Sequence, residues 1–210
     1  MTRTLAIAAS VSVIALLGAT YYVTQMRGSD DVFAQCRSAA VAGGTGAIGG
    51  DFTLVDETGQ TVTSAEVLSE PSLIYFGYTF CPDVCPLDNA RNAEAVELLE
   101  ERGVMVQPVF ITIDPARDTP EVMAEFTEYM HPRMLGLTGS PEQVKAASKA
   151  YRTYYKAQEP EEGAEDYYLV DHSTFTYLTL PDHGFVEFFR RDISAEAMAE
   201  TVQCFVNAGS

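Results

Sequence analysis

Leu73-Ile74-Tyr75-Phe76-Gly77-Tyr78-Thr79-Phe80-Cys81-Pro82-Asp83-Val84-Cys85-Pro86 is the stretch on which the reading of this chain turns. It opens as an uncharged run of aliphatic and aromatic residues, too short for a globular helix, and reads as a buried strand. It then passes through Gly77 and Thr79 to two cysteines with three residues between them. Past Pro86 a helical pattern begins, with Ala90, Ala93, Val96, Leu98 and Leu99 apolar among charged neighbours. Both thiols therefore stand where a core strand ends and a helix starts. A helix N-terminus carries partial positive charge and unpaired N–H groups, so it favours thiolate over thiol. Side chains four residues apart near a helical turn also project to the same side. Two such sulfurs can form a disulfide, attack one, or hold a metal ion.

The elements around this stretch follow an α/β order. Residues 52–55 and 61–63 flank an Asp56-Glu57-Thr58-Gly59 turn, as in a small N-terminal β-hairpin. Residues 73–77 are the first core strand, and residues 90–102 belong to a long helix stopped by Gly103. Residues 104–113 are a second core strand. Thr119-Pro120-Glu121 and Ser140-Pro141-Glu142-Gln143 each read as a cap followed by a helix, the second with a capping box, and that helix runs to near Tyr155. After an acidic loop at 158–166 come Asp171-His172-Ser173, a strand at 174–180, a turn at Pro181-Asp182-His183-Gly184, a return strand at 185–189, and a helix capped by Ser194. A right-handed strand–helix–strand crossover puts the cysteines at a carboxyl strand edge, where open α/β sheets carry their functional loops. The order matches a thioredoxin-like domain with an N-terminal hairpin extension.

Toward the N-terminus the chain changes character. No charged side chain lies between Arg3 and Arg27, and residues 5–23 are almost wholly apolar or small, about the length that crosses a bilayer. Tyr21 and Tyr22 sit at the far end, where amphipathic rings favour the interface. The expected organisation is a cytoplasmic N-terminus at 1–4, a transmembrane anchor at 5–26, a Gly-rich linker at 27–48 and one domain at 49–207. A cleaved signal peptide is the competing reading of the same run. With no transit-peptide composition ahead of the run, a bacterial inner membrane is the expected site, single pass, with the domain in the periplasm. Beyond residue 27 there are eleven basic and thirty acidic side chains. That surface repels phosphate backbones, so nucleic acid is not an expected partner.

Four cysteines fall into two groups. Cys36 and Cys204 lie near the two ends of the soluble part, and outside the cytoplasm such leftover thiols pair, so a Cys36–Cys204 structural disulfide is expected. Cys81 and Cys85 would constrain little chain as a structural bridge. As a redox dithiol they depart from the two-residue spacing of that motif. In a thioredoxin-like domain, His172-Ser173 falls where a proline usually faces the thiols, so the imidazole points across the site toward both sulfurs. Two thiolates and an imidazole suit Cu(I), and Cu(II) with an added ligand. Zinc is the rival, but structural zinc takes four protein ligands and no fourth stands out. His131, at a helix end, and His183, in a turn, need no special role. The seven methionines are scattered and suggest no copper site.

Cys81-Pro-Asp-Val-Cys85-Pro86 after Tyr75-Phe76-Gly77-Tyr78-Thr79, then Asp114-Pro115-x-Arg117-Asp118-Thr119-Pro120, Leu137-Thr138-Gly139 and Val170-Asp171-His172-Ser173, together resemble the Sco/SenC family over residues 49–206. The resemblance implies copper binding by Cys81, Cys85 and His172. It further implies a membrane-anchored metallochaperone that delivers copper to the dinuclear copper site of cytochrome c oxidase subunit II, and not an enzyme in the ordinary sense. Other periplasmic copper chaperones and thiol reductants are further candidate partners. The alternative is a thiol-disulfide reductase that uses Cys81 and Cys85 as a redox-active dithiol to keep the oxidase copper-site cysteines reduced. The Asp114–Pro120 segment needs no more than a helix entry and an Arg117 ion pair.

Overall fold

The computed structural model describes residues 13–23, 31–37, 45–160, 162–163 and 167–209. The chain divides into two compact units, Met1–Gln35 and Cys36–Ser210. In the first, residues 13–23 form an α-helix (α1) whose Ile14, Leu16, Leu17 and Tyr21 side chains are exposed. Among the described residues no helix is long and apolar enough to cross a membrane. Residues 5–12 and 24–26 of the expected anchor, and residues 27–30 and 38–44 of the expected linker, lie outside the described residues.

The second unit is built on a seven-stranded mixed sheet. A hairpin of β1 (Thr53–Asp56) and β2 (Thr61–Thr63) leads through the short helix α2 (Ser64–Val67) into β3 (Ser72–Gly77). Then follow α3 (Val84–Glu101), β4 (Gln107–Thr112), α4 (Pro120–Met130), β5 (Leu135–Thr138) and α5 (Pro141–Ala150). The chain ends with β6 (Tyr155–Ala157), β7 (Val170–His172), β8 (Thr176–Leu180), β9 (Gly184–Phe189) and α6 (Ala195–Ala208). The large sheet has the order β2-β1-β5-β4-β3-β8-β9, and β6 and β7 form a separate two-stranded sheet. β3, β4 and β5 run parallel, while β8 pairs antiparallel with β3.

All six residues of β3 are buried, which explains the uncharged, largely apolar run after Ser72: a central strand with both faces covered has no polar-out positions. The expected caps form. Thr119 and Ser140 each accept the backbone N–H three residues on, and Gln143 closes the capping box. In the same unit Cys36 and Cys204 are joined as a disulfide with a Cα–Cα distance of 5.7 Å. Beside it Arg37 lies over the Phe205 ring, 5.7 Å from the centroid, and donates to the Val186 carbonyl.

Three local readings change. α3 starts at Val84, ahead of Pro86, so Cys85 sits inside the first turn. Proline is tolerated there because first-turn N–H groups have no intrahelical partner to lose. β5 is a strand that sequence did not signal: four residues with Gly136 among them carry little strand propensity alone. There the Gly136 N–H donates to Glu57 Oε2 at 2.8 Å, and a Cβ would meet that oxygen at 2.9 Å. Finally α5 ends at Ala150, not near Tyr155. The chain reverses through Arg152 at φ 54°, freeing Tyr155–Ala157 to pair with β7.

Candidate metal centre

The loop after β3 and the first turn of α3 carry the two thiols; β7 carries the imidazole. Sγ of Cys81, Sγ of Cys85 and a ring nitrogen of His172 all lie within 4.8 Å of one another. Cys85 is fully buried, Cys81 nearly so, and His172 half-buried. Both thiols are free of disulfides. The Cys85 backbone N–H donates to Cys81 Sγ at 3.3 Å, which is the unpaired donor of a helix N-terminus turned onto a sulfur. His172 Nε2 lies 3.4 Å from Cys85 Sγ, and Nδ1 lies 2.8 Å from the Ser173 carbonyl. A carbonyl only accepts, so Nδ1 carries the proton and Nε2 turns its lone pair toward the sulfurs.

The imidazole is held by its surroundings. Tyr155 pairs with His172 across β6–β7. The Tyr75 and Tyr78 rings stand edge-on to the imidazole, with centroids 6.2 and 5.9 Å away. The Tyr78 hydroxyl accepts the Val170 N–H at 3.2 Å, anchoring β7 to the end of β3. Gly77 makes room for the sulfur: a Cβ there would meet Cys85 Sγ at 3.0 Å and the Tyr75 and Phe110 rings at 2.9 Å. Gly77→Ala is expected to cost about 1–3 kcal/mol of stability, as overpacking of a filled core does, and to displace Cys85 Sγ. Denaturant unfolding together with metal titration reads both effects.

The Asp114–Pro120 segment does more than start a helix. The buried Asp118 carboxylate accepts the Thr79 N–H at 3.1 Å and the Thr112 hydroxyl at 2.5 Å, tying the loop before Cys81 to the end of β4. Burial pushes the Asp118 carboxyl up, against the Thr112 and Thr79 hydrogen bonds. Arg117 pairs with Asp114 and lies 3.7 Å from the Tyr168 ring centroid and 4.8 Å from that of Phe80. Tyr168 in turn donates to Asp114 at 2.7 Å. The segment thus braces the loop carrying Cys81 and the approach to the strand carrying His172. The Asp-Pro-x-Arg-Asp run was visible in the sequence, but its partners are 39 and 54 residues away. His131 is buried at the end of α4 and accepts the Arg133 N–H, and His183 is exposed in its turn, so neither joins the centre.

The two thiols differ in acidity. A hydrogen bond from Cys85, with smaller contributions from the Asp83 and Cys85 N–H groups, brings the Cys81 thiol down to about 3 against the opposing effect of burial. The same shared hydrogen bond, then burial, pushes Cys85 up. At neutral pH Cys81 is the thiolate and Cys85 keeps the proton. Because the folded value of Cys81 lies below its unfolded value of 9.0, its contribution to stability is complete above pH 9.0 and is lost as the pH falls through about 3. Iodoacetamide should modify Cys81 at least about tenfold faster than Cys85 at pH 7, with little change in rate from pH 5 to 8. Peptide mass spectrometry of the reduced protein would show it; equal labelling of both thiols would contradict the assignment.

The SCO1/SenC family model matches residues 41–207. Protein SenC of Rhodobacter capsulatus is 52% identical over 210 residues, covering 98% of this chain and 91% of that protein. The mitochondrial SCO1 homolog 1 of Arabidopsis thaliana is 40% identical over 160 residues, covering 76% of this chain, which spans 47% of that longer protein. Among solved structures, Arabidopsis thaliana ScoI with copper bound superposes with a TM-score of 0.71 at 39% identity, over 77% of this chain and 99% of that one. Bradyrhizobium japonicum ScoI with copper bound gives 0.67 at 35% identity, over 75% and 98%. These matches agree with the mixed α/β, thioredoxin-like architecture described above.

Proposed function

Because the chain belongs to the SCO1/SenC family, we propose that it is a copper metallochaperone. Cys81, Cys85 and His172 bind one copper ion for delivery to the dinuclear copper site of cytochrome c oxidase subunit II. The observation that carries the reading is the donor set: two free thiols and an unprotonated Nε2, all within 4.8 Å and held before any metal arrives. Thiolate and imidazole donors select soft or borderline ions, and three ligands suit Cu(I). A receiving site with more ligands can take the ion by stepwise exchange, each new bond forming as one to Cys81, Cys85 or His172 breaks. Cys85 gives up its proton when the metal binds, so affinity falls with acidity.

The proposal includes an anchor at residues 5–26 that holds the domain in the periplasm at a bacterial inner membrane. Its supports are the uncharged run from residue 4 to residue 26 and a Cys36–Cys204 disulfide, which suits an oxidising compartment.

A second reading has an observation of its own. Cys81 is an acidic thiol beside a protonated neighbour, as a dithiol reductant needs. Cys81 thiolate would attack a partner disulfide and expel one thiolate. Cys85, losing its proton to that leaving group, would then resolve the mixed disulfide, leaving the partner reduced and Cys81–Cys85 oxidised. Metal analysis of the purified protein separates the two. The chaperone reading expects one copper per reduced chain and none after oxidation to the Cys81–Cys85 disulfide. Absence of copper from the reduced chain after loading and desalting would leave only the reductase.

A further inference from the structure

We propose that the cavity between α5 and the start of β6 is a carboxylate-binding site that seats an acidic segment of a partner protein. All three lysines of the chain, Lys145, Lys149 and Lys156, fall with Arg152 inside twelve residues that contain no Asp or Glu. The rest of the chain holds nine basic against thirty acidic side chains. Lys145 and Lys149, one turn apart on α5 and both exposed, line an open cavity of about 460 Å³ with Ser148, Thr153, Tyr154 and Tyr155. Its wall supplies a second, independent observation. The Ser148 hydroxyl belongs to a residue only 2% exposed and has no hydrogen-bond partner among the described residues. Buried hydroxyls are nearly always paired, and within a helix they usually donate back to the preceding turn. The neighbouring Thr153 hydroxyl is already paired with Tyr177 at 3.0 Å.

Two exposed ammonium groups one turn apart form a set that a carboxylate satisfies with both of its oxygens. Among the described residues, few acids face this site. Glu142 lies close enough to Lys145 to feel its charge, and Asp171, opposite Lys156, accepts from Gln158 at 2.9 Å. Lys149 is therefore its centre. An extended polyanion, whether bilayer or nucleic acid, would overrun this small patch and meet the acidic remainder of the surface. A discrete carboxylate on a protein segment would not. The exposed Tyr154 offers that segment an apolar edge. Tyr154 also exchanges hydrogen bonds with Ser173 at 2.9 and 3.2 Å, and Tyr155 pairs with His172, so the occupant lies one strand from the metal centre. The inference rests on these residues and holds whichever reading of the dithiol is right.

The test uses the full chain in neutral detergent, a fluorescent octaglutamate peptide and an octaglutamine control, read by anisotropy at low salt. Octaglutamate should bind and octaglutamine should not. Lys145→Gln/Lys149→Gln should weaken binding at least about tenfold. Lys145→Arg/Lys149→Arg should retain binding, which controls for damage to α5. Equal binding of both peptides, or unchanged affinity in the glutamine variant, overturns the proposal. So does a site that takes inorganic phosphate or phosphatidylglycerol vesicles in a Lys145/Lys149-dependent way but not octaglutamate.

Discussion

Replacing His172 with alanine is expected to lower copper affinity by at least about 100-fold, or about 2.7 kcal/mol, with little loss of fold stability. The magnitude follows from its place in the donor set. Outer groups that merely orient a ligand already account for about 10- to 100-fold in metal affinity, and on the proposed reading His172 is itself a ligand. With Nε2 removed, two thiolates remain, and water or a buffer molecule must complete the coordination at a half-buried rim. The fold should tolerate the change because β7 is held by other contacts: the Val170 N–H to Tyr78, and backbone pairing with β6. Copper titration against a competing chelator, beside a thermal melt of the apo-protein, would read both quantities. The same variant discriminates the two proposed functions in cells. If it loses copper yet supports normal oxidase assembly, the dithiol chemistry alone is what matters. If assembly fails along with copper binding, the metallochaperone reading stands.

The second large effect concerns the other pair of cysteines. The double substitution Cys36→Ser/Cys204→Ser is expected to destabilise the protein by about 5 kcal/mol in the chain-entropy account. The disulfide closes a loop spanning 168 residues, so its loss frees nearly the whole unfolded domain. That is a third or more of the stability of an ordinary domain, so the variant should melt well below the wild type. Arg37, lying over Phe205 and bonded to Val186, gives the N-terminal segment a second attachment that survives the substitution. Denaturant unfolding with Cys81 and Cys85 in the same redox state in both proteins isolates the effect. A midpoint indistinguishable from wild type would show that this attachment, and not the covalent link, holds the ends together.

Both predictions depend on placements of very different legibility. The strand–loop–helix carrying Cys81 and Cys85 could be read directly, because an uncharged run of β-formers, a turn and an amphipathic helix are local patterns whose physics lies within about twenty residues. The caps at Thr119, Ser140 and Ser194 were equally readable, since each satisfies the N–H three residues away. The start of α3 was not, because proline marks either a boundary or a first turn and only packing chooses between them.

From the amino-acid order alone came the thiol pair, its position at a strand end, the capped helices and the long acidic surface. Tertiary structure alone decided how His172 is presented. The early end of α5 and the pairing of Tyr155 with His172 depend on segments that meet only once the sheet has formed. The same holds for Asp118 reaching back to Thr79 and for Arg117 beneath Tyr168. A side chain's partner across 39 or 87 residues is set by the packing that excludes water between them, and no local pattern records that.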